Sequence, residues 1–394
     1  MVNLADRQIV NILAQDIKAD LRLSDAQLGL LTGLAFGSVY AVVGLPLAWL
    51  ADRVNRGRII ALMLAVWSLC TVACGAATGF LGLFLARMGV GAGEGGAQPA
   101  CTSLVRDLFP SRGTTALAVA MAGNPIGSFI GFLAGGAIAQ VWGWRTAFVL
   151  AGLPGLLLAA VVYRVIGDVR PSATGPFAHR SFQRDLRRLL ARPRLPLLIV
   201  AVSASMLVMY AVGAWLPAFF IRAHGLSTAE MGLFGAMATG ICGGLGTVAG
   251  FLCDRLDTHV RHVEGKFVIL ASLAAVPLLL VSVAARDTAT ALSGYFALNV
   301  VAFAWLAPAT RLIQDAVEPD QRALAFAACG GAGLLFSLGV GVPLIGWASD
   351  LLTPDFGARS LAVALALVLP LAAATAAAGH FRLLRTAPEA APPG

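Results

Sequence analysis

This sequence predicts an all-α integral membrane protein made of two six-helix repeats, and three observations carry the prediction. Of its 394 residues, 58% are hydrophobic and only 12% charged, with a mean hydropathy of +0.83, so too little polar surface exists to coat the chain in water. Apolar runs of the roughly 20 residues that a helix needs to cross about 30 Å of hydrocarbon follow one another along most of the chain. The two halves also repeat each other. Ser24-Asp25-Ala26-Gln27-Leu28-Gly29-Leu30 returns as Ser227-Thr228-Ala229-Glu230-Met231-Gly232-Leu233, shifted by 203 positions, and Asp52-Arg53 returns as Asp254-Arg255, shifted by 202. The loop at 107–112 returns more loosely at 315–322. Landmarks in one order at nearly one offset mean a duplicated multi-helix unit.

Taken in order, the apolar runs fall near residues 28–50, 59–78, 80–104, 114–140, 145–166, 196–220, 229–253, 266–284, 288–310, 322–346 and 359–383, which makes eleven full spans. The 44 glycines and 19 prolines lie inside many of them, a composition that bundled membrane helices tolerate and strands do not. Residues 1–14 read as the end of a twelfth helix, but at 1.5 Å per residue they reach only about 21 Å. The expectation is a first helix cut short, by a start codon further upstream or by trimming, and no cleavage site marks a signal peptide. The organisation is then a bundle at 1–166, a basic linker at 167–195, a second bundle at 196–386 and a short tail at 387–394.

Charge sets the orientation. If the loop at 51–58 is cytoplasmic, twenty of the 28 basic residues lie on that side, as the positive-inside rule demands. The net charge of +8 then needs no nucleic acid to explain it. Linker and C-terminus are expected in the cytoplasm, and the membrane is expected to be a bacterial inner membrane. Within the linker, 182–191 reads as a short basic amphipathic helix lying on anionic lipid. The six cysteines lie in or beside apolar spans without a CxxC pair, and the five histidines sit in the linker, loops or helix ends. Neither set suggests disulfides, a metal site or hydrolytic catalysis. The glycine-rich stretch from Gly89 to Gly96 follows no strand and leads to no GK[ST], so its glycines serve close helix packing.

Ionisable residues inside the spans are the sharper clue, because each is costly in lipid unless it faces a cavity or a partner. There are four: Asp6, Arg7, Arg87 and Glu94, all in the first copy. Arg87 and Glu94 share a helix face about 10.5 Å apart along the axis. Arg87 leans away from Glu94, leaving a gap for a water, a substrate group or Asp6. Carboxylates so enclosed, Asp6 and Glu94, are the groups a proton carrier needs. The plainer alternative is that the charges neutralise one another and staple two helices together.

Gly44-Leu45-Pro46-Leu47-Ala48-Trp49-Leu50-Ala51-Asp52-Arg53-Val54-Asn55-Arg56-Gly57-Arg58 resembles the loop signature of the major facilitator superfamily, roughly GxLaDRxGRR. Ala86-Arg87-Met88-Gly89-Val90-Gly91-Ala92-Gly93-Glu94, Asp107-Leu108-Phe109-Pro110 and Gly143-Trp144-Arg145-Thr146-Ala147-Phe148 resemble its Spinster-type branch. Ala48 stands where glycine is usual and Gly57 where a second arginine is common. The resemblance implies a twelve-helix carrier working by alternating access, driven by a proton gradient without a cofactor, with lipid-like substrates such as sphingosine phosphate or lysophospholipids. Asp6 and Glu94 match that branch's protonatable carboxylates, Arg87 its buried arginine, and Asp52, Arg53 and Arg56 its cytoplasmic latch.

Together these readings give one expectation. Arg87 is paired while Glu94 and Asp6 are ionised, and protonation frees it to hold an anionic headgroup while apolar walls take a tail. Tyr210, Trp215, Asn299 and Trp305 would supply the wall from the second copy. Asp52, Arg53, Arg56, Asp107, Arg112, Asp254 and Arg255 would form the cytoplasmic gate. The partners expected are a small amphipathic or anionic substrate, protons and membrane lipid, with the chain as a monomer. Two further readings stay open: a symporter or antiporter of a small soluble organic anion or drug, and a membrane sensor that transports nothing.

Overall fold

Sequences this apolar satisfy their backbone inside the bilayer by folding as helices. The computed structural model describes residues 1–51, 55–109, 113–166, 187–246, 248–256, 262–318 and 321–385, and its long elements are all helical. We number twelve helices among them. α1 consists of Val2–Ile12 and Ala14–Leu21; α2 runs from Asp25–Gly29 through a π-helical segment, Leu30–Leu34, to Ala35–Ala51; α3 is Arg56–Gly75; α4 is Phe80–Gly95 with Ala97–Leu108. α5 (113–142) and α6 (144–165) meet at Gly143, whose φ of 81° turns the chain where most side chains would be strained. α7 is Leu195–His224; α8 consists of 228–246, with a π segment at Met237–Cys242, and Ala249–Leu256; α9 is Val263–Ala284; α10 joins Thr288–Ala304 to Leu306–Asp315; α11 spans 322–356 with a π segment at Leu335–Gly341; α12 is Ser360–Arg385.

The duplication read in the sequence is visible as matched helix starts. Ser24 and Ser227 each cap a helix, accepting from the backbone N–H three residues on, while Gln27 and Glu230 reach back to the cap in a closed capping box. The two repeats meet along seams. α2 packs on α11, and α5 packs on α8. At Gly136 of α5 the approach is so close that a Cβ would sit 2.9 Å from Gly232 Cα, so only glycine fits.

The outer surface confirms the bilayer as solvent. Leu157, Phe251 and Leu371 are each at least 70% exposed, a pattern that water would penalise and lipid tails would not. Polar side chains inside the bundle turn to their own helix instead: Thr71 donates to Trp67 O, Ser337 to Gly333 O and Thr239 to Gly235 O.

Two expectations about helix ends are corrected. α1 does not stop near residue 14 but continues through a turn at Leu13 to Leu21, a length of about 30 Å at 1.5 Å per residue. The polar residues read as loop find partners there. Gln15 accepts from Arg222, Asp16 from Thr228, Lys18 donates to Asp25, and Asp20 accepts from Arg145. α11 likewise continues to Phe356, because Ser349 and Asp350 bond across to α2. Of the basic stretch 182–191, residues 182–186 lie outside the described residues; 187–190 are helical, with Leu189 fully buried against Leu195 and Leu198 of α7 and Arg187, Arg188 and Leu190 exposed.

Candidate functional site

α1 and α4 carry the four in-span charges into the middle of the first repeat. Arg7 Nε donates to Glu94 Oε2 at 2.7 Å, with the Glu94 side chain at 0% exposure and that of Arg7 at 19%. The Arg7 guanidinium carbon lies 4.5 Å from the Phe36 ring centre and 4.7 Å from that of Tyr40. These rings stand four residues apart on one face of α2, so the cation is held by a carboxylate and two π faces. Arg87 sits behind, buried, its guanidinium carbon 5.3 Å from the same Phe36 ring and its Nε without a hydrogen-bond partner. Asp6 is also buried, both its oxygens lack hydrogen-bond partners, and Arg87, Glu94, Trp67 and Thr71 are its polar surroundings. Two acids and two bases thus balance formally in the interior of the first repeat, with Glu94 Oε1 also unpartnered.

The hydrogen bond to Glu94 comes from Arg7 on the neighbouring helix, a contact the sequence reading did not foresee, while Arg87, leaning toward the start of α4, keeps Asp6 and Glu94 within electrostatic reach. Arg7 was visible as an in-span charge, and the Phe36 and Tyr40 spacing was the signal that would have given it a role.

Of the residues expected to form the opposite wall, Tyr210 of α7 is brought to this cluster, within electrostatic reach of both Arg7 and Tyr40. Trp215 is fully buried near the α2 and α11 seam, where its indole N–H donates to Val342 O at 3.1 Å. Asn299 is turned onto its own helix, Nδ2 donating to Tyr295 O at 2.9 Å. Trp305 marks the joint in α10 and belongs to a separate apolar cluster with Leu195, Leu198 and Ile313. Among the described contacts none ties Trp215, Asn299 or Trp305 to the charged residues.

On the basic face, Asp52, Arg53 and Arg112 lie outside the described residues, as do the side chains of Arg56 and Asp107. Asp254 accepts from Arg311 Nη1 at 3.2 Å, and Arg311 also pairs with Glu264 at 2.7 Å, so this part of the proposed gate is linked within the second repeat. Arg255 sits beside Asp254, exposed.

The opposite face holds a network that sequence reasoning missed. Asp25, at the start of α2, receives both Nη atoms of Arg222 from α7, at 2.5 and 2.7 Å, Nζ of Lys18 from α1 at 2.5 Å and the Ser349 hydroxyl from α11 at 2.7 Å. Asp350 accepts from the backbone N–H groups of Asp25 and Ala26 at 2.9 and 2.7 Å, placing an anion at the positive end of α2. Thr228 donates to Asp16 at 3.1 Å. Both repeats are tied together here by charge-assisted bonds. The signal was the repeated Ser-Asp and Ser-Thr starts of α2 and α8, which sequence analysis used only as evidence of duplication.

Comparison with known proteins places this arrangement. Residues 1–334 match the family model described as Major Facilitator Superfamily. The chain is 33% identical to an MFS-type efflux pump of Mycolicibacterium smegmatis over 370 residues, 93% of this chain and 86% of that protein. It is 30% identical to human protein spinster homolog 1 over 236 residues, which cover 57% of this chain and 44% of the human protein. The crystal structure of a bacterial homolog to the human lysosomal transporter Spinster, inward-facing and occupied, superposes with a TM-score of 0.85 at 25% identity, covering 100% of this chain and 96% of that one. With twelve helices among its described residues, matched repeats and a fold shared with the bacterial Spinster homolog, the chain belongs to the Major Facilitator Superfamily and is a transporter and not an enzyme.

Proposed function

We propose that the chain is a proton-coupled secondary transporter that moves an amphipathic organic anion by alternating access. The observation that carries the reading is the Arg7 to Glu94 ion pair, in which the arginine keeps 19% of its side chain exposed and the carboxylate none. While Glu94 is ionised it holds Arg7. A proton on Glu94 removes that counter-charge, and the guanidinium can then take an anionic headgroup presented from the side where Tyr210 stands. Proton and anion therefore bind as a linked pair. Arg87 stays behind as the counter-charge to Asp6, the second protonatable carboxylate. The apolar walls take the tail.

α1 joins this site to the opposite face. Arg7 lies in its first piece and Gln15, Asp16 and Lys18 in its second, with the turn at Leu13 between. Rearrangement around Arg7 thus acts on the helix that also holds the Asp25 network. Closure of that face suits the inward-facing arrangement of the Spinster homolog's crystal structure. The charge bias of the loops supports a cytoplasmic linker and C-terminus in an inner membrane, and the superfamily default supports a monomer.

The test is transport in sealed liposomes holding a pH-sensitive dye, challenged in turn with lysophospholipids, sphingoid phosphates and small organic anions. The expected result is proton movement driven by one of the amphiphiles with wild type and absent with Glu94→Gln. Movement with small anions only would overturn the amphiphile assignment, and binding without movement would overturn transport coupling. The efflux-pump relative favours a second, compatible reading in which the amphiphile leaves the cell. Uptake into inside-out vesicles, and none into right-side-out ones, would support it.

A further inference from the structure

Three π-helical segments interrupt the helices that form the seams between the repeats, at Leu30–Leu34 of α2, Met237–Cys242 of α8 and Leu335–Gly341 of α11. The first two are one feature in two copies. Leu30-Leu31-Thr32-Gly33-Leu34 returns as Met237-Ala238-Thr239-Gly240-Ile241, shifted by 207 positions. In all three segments the third residue carries a hydroxyl that donates to the carbonyl four residues back: Thr32 to Leu28 O at 3.0 Å, Thr239 to Gly235 O at 2.7 Å and Ser337 to Gly333 O at 2.6 Å. Thr71 makes the same bond in the uninterrupted α3, so the hydroxyl alone does not create a π segment.

A turn closed by i→i+5 bonds takes in one residue more than an α turn, and such turns are rare and concentrate at functional sites. A hydroxyl that competes for a helix carbonyl loosens the backbone ladder at the same place and favours bending there. The glycine after each threonine faces the other repeat. A Cβ on Gly33 would strike Leu338 O inside the π segment of α11, and one on Gly240 would lie 2.9 Å from Phe129 Cβ of α5. The segments therefore lie in both seams, and in one of them two π segments face each other.

We propose that these three π segments are hinges, at which α2, α8 and α11 bend as the seams open and close, and that Thr32, Thr239 and Ser337 loosen them for it. The inference rests on alternating access and on neither proton coupling nor the identity of the cargo.

The test is amide hydrogen exchange of the full chain in nanodiscs, read on overlapping peptides by mass spectrometry. Arg22→Cys and Ala223→Cys, in a background cleared of native cysteines, let a bis-maleimide lock the face at which Lys18 and Arg222 meet Asp25. Before locking, residues 30–34, 237–242 and 335–341 should exchange about tenfold faster than the α-helical turns on either side, and after locking they should fall to the flanking rate. Without the lock, Thr32→Val and Thr239→Val should each slow exchange several-fold in their own segment, whereas Thr32→Ser and Thr239→Ser should leave it unchanged. Equal protection of π and flanking turns before locking overturns the proposal, as does fast exchange that survives the lock. Valine variants that exchange like wild type overturn the role of the hydroxyls even if the lock does not form. Spin labels on the same two cysteines report whether the face opens at all. Opening without the exchange pattern overturns the hinges alone, and no opening overturns alternating access with them.

Discussion

Replacing Asp25 by asparagine should open the face that its network closes. Alternating access requires this face to part during the cycle, so the free energy of the network sets how firmly the closed arrangement is held. Asp25 is 2% exposed as a side chain, Arg222 15% and Lys18 28%. Removing one member of a buried pair costs about 3–5 kcal/mol, because the partner's charge stays buried without compensation. Arg222 and Lys18 retain some water, so the lower end applies. About 3 kcal/mol corresponds to roughly a hundredfold change in the ratio of closed to open forms. A protein closed at this face by about a hundred to one would then populate both forms equally. Spin labels at Arg22 and Gly225, placed in a cysteine-free background, read this directly by double electron–electron resonance. Wild type should give one short distance, and Asp25→Asn that distance plus a longer one of similar weight. An unchanged distribution in Asp25→Asn would refute the argument that these bonds hold the repeats together.

Other outcomes follow from single contacts. Arg7→Lys keeps the charge but loses the flat guanidinium that lies against Phe36 and Tyr40, so affinity for an anionic amphiphile should fall about tenfold in a binding titration, a loss of about 1.4 kcal/mol. Trp215→Phe removes the bond to Val342 O and should lower stability by about 1 kcal/mol in a denaturation assay, leaving amphiphile binding intact. Asp350→Ala leaves the Asp25 and Ala26 N–H groups without their carboxylate, and amide hydrogen exchange at the start of α2 should rise several-fold, consistent with about 1 kcal/mol for a lost helix-end acceptor.

Much of the fold was legible in sequence because hydropathy and helix length are local properties. The starts of α2 to α12 fall within about three residues of the apolar runs, as the bilayer thickness requires. The two misplaced ends, in α1 and α11, share one cause: Lys18 and Asp350 read as loop charges until their partners on other helices were known. The four charges of the central site were legible for the same local reason, since each is costly in lipid. Their pairing was not. Whether Arg7 or Arg87 meets Glu94 depends on how α1 packs on α4, which no spacing within either helix determines. Trp215 and Asn299 show the converse limit, because an amphipathic side chain in a span looks alike whether it lines a path or bonds to a neighbouring carbonyl. The Asp25 network combines both lessons. Its members are scattered from Gln15 to Asp350, and only the fold gathers them.

The central claim is that a proton on Glu94 releases Arg7 to an anion, so anion binding and proton uptake are one event. Calorimetric titration of the amphiphile that transport identifies, run in buffers of different ionisation enthalpy, counts the protons taken up per anion bound. The account predicts about one proton per anion for wild type and none for Glu94→Gln, which still binds. Binding to wild type without proton uptake, or equal uptake in Glu94→Gln, would contradict it.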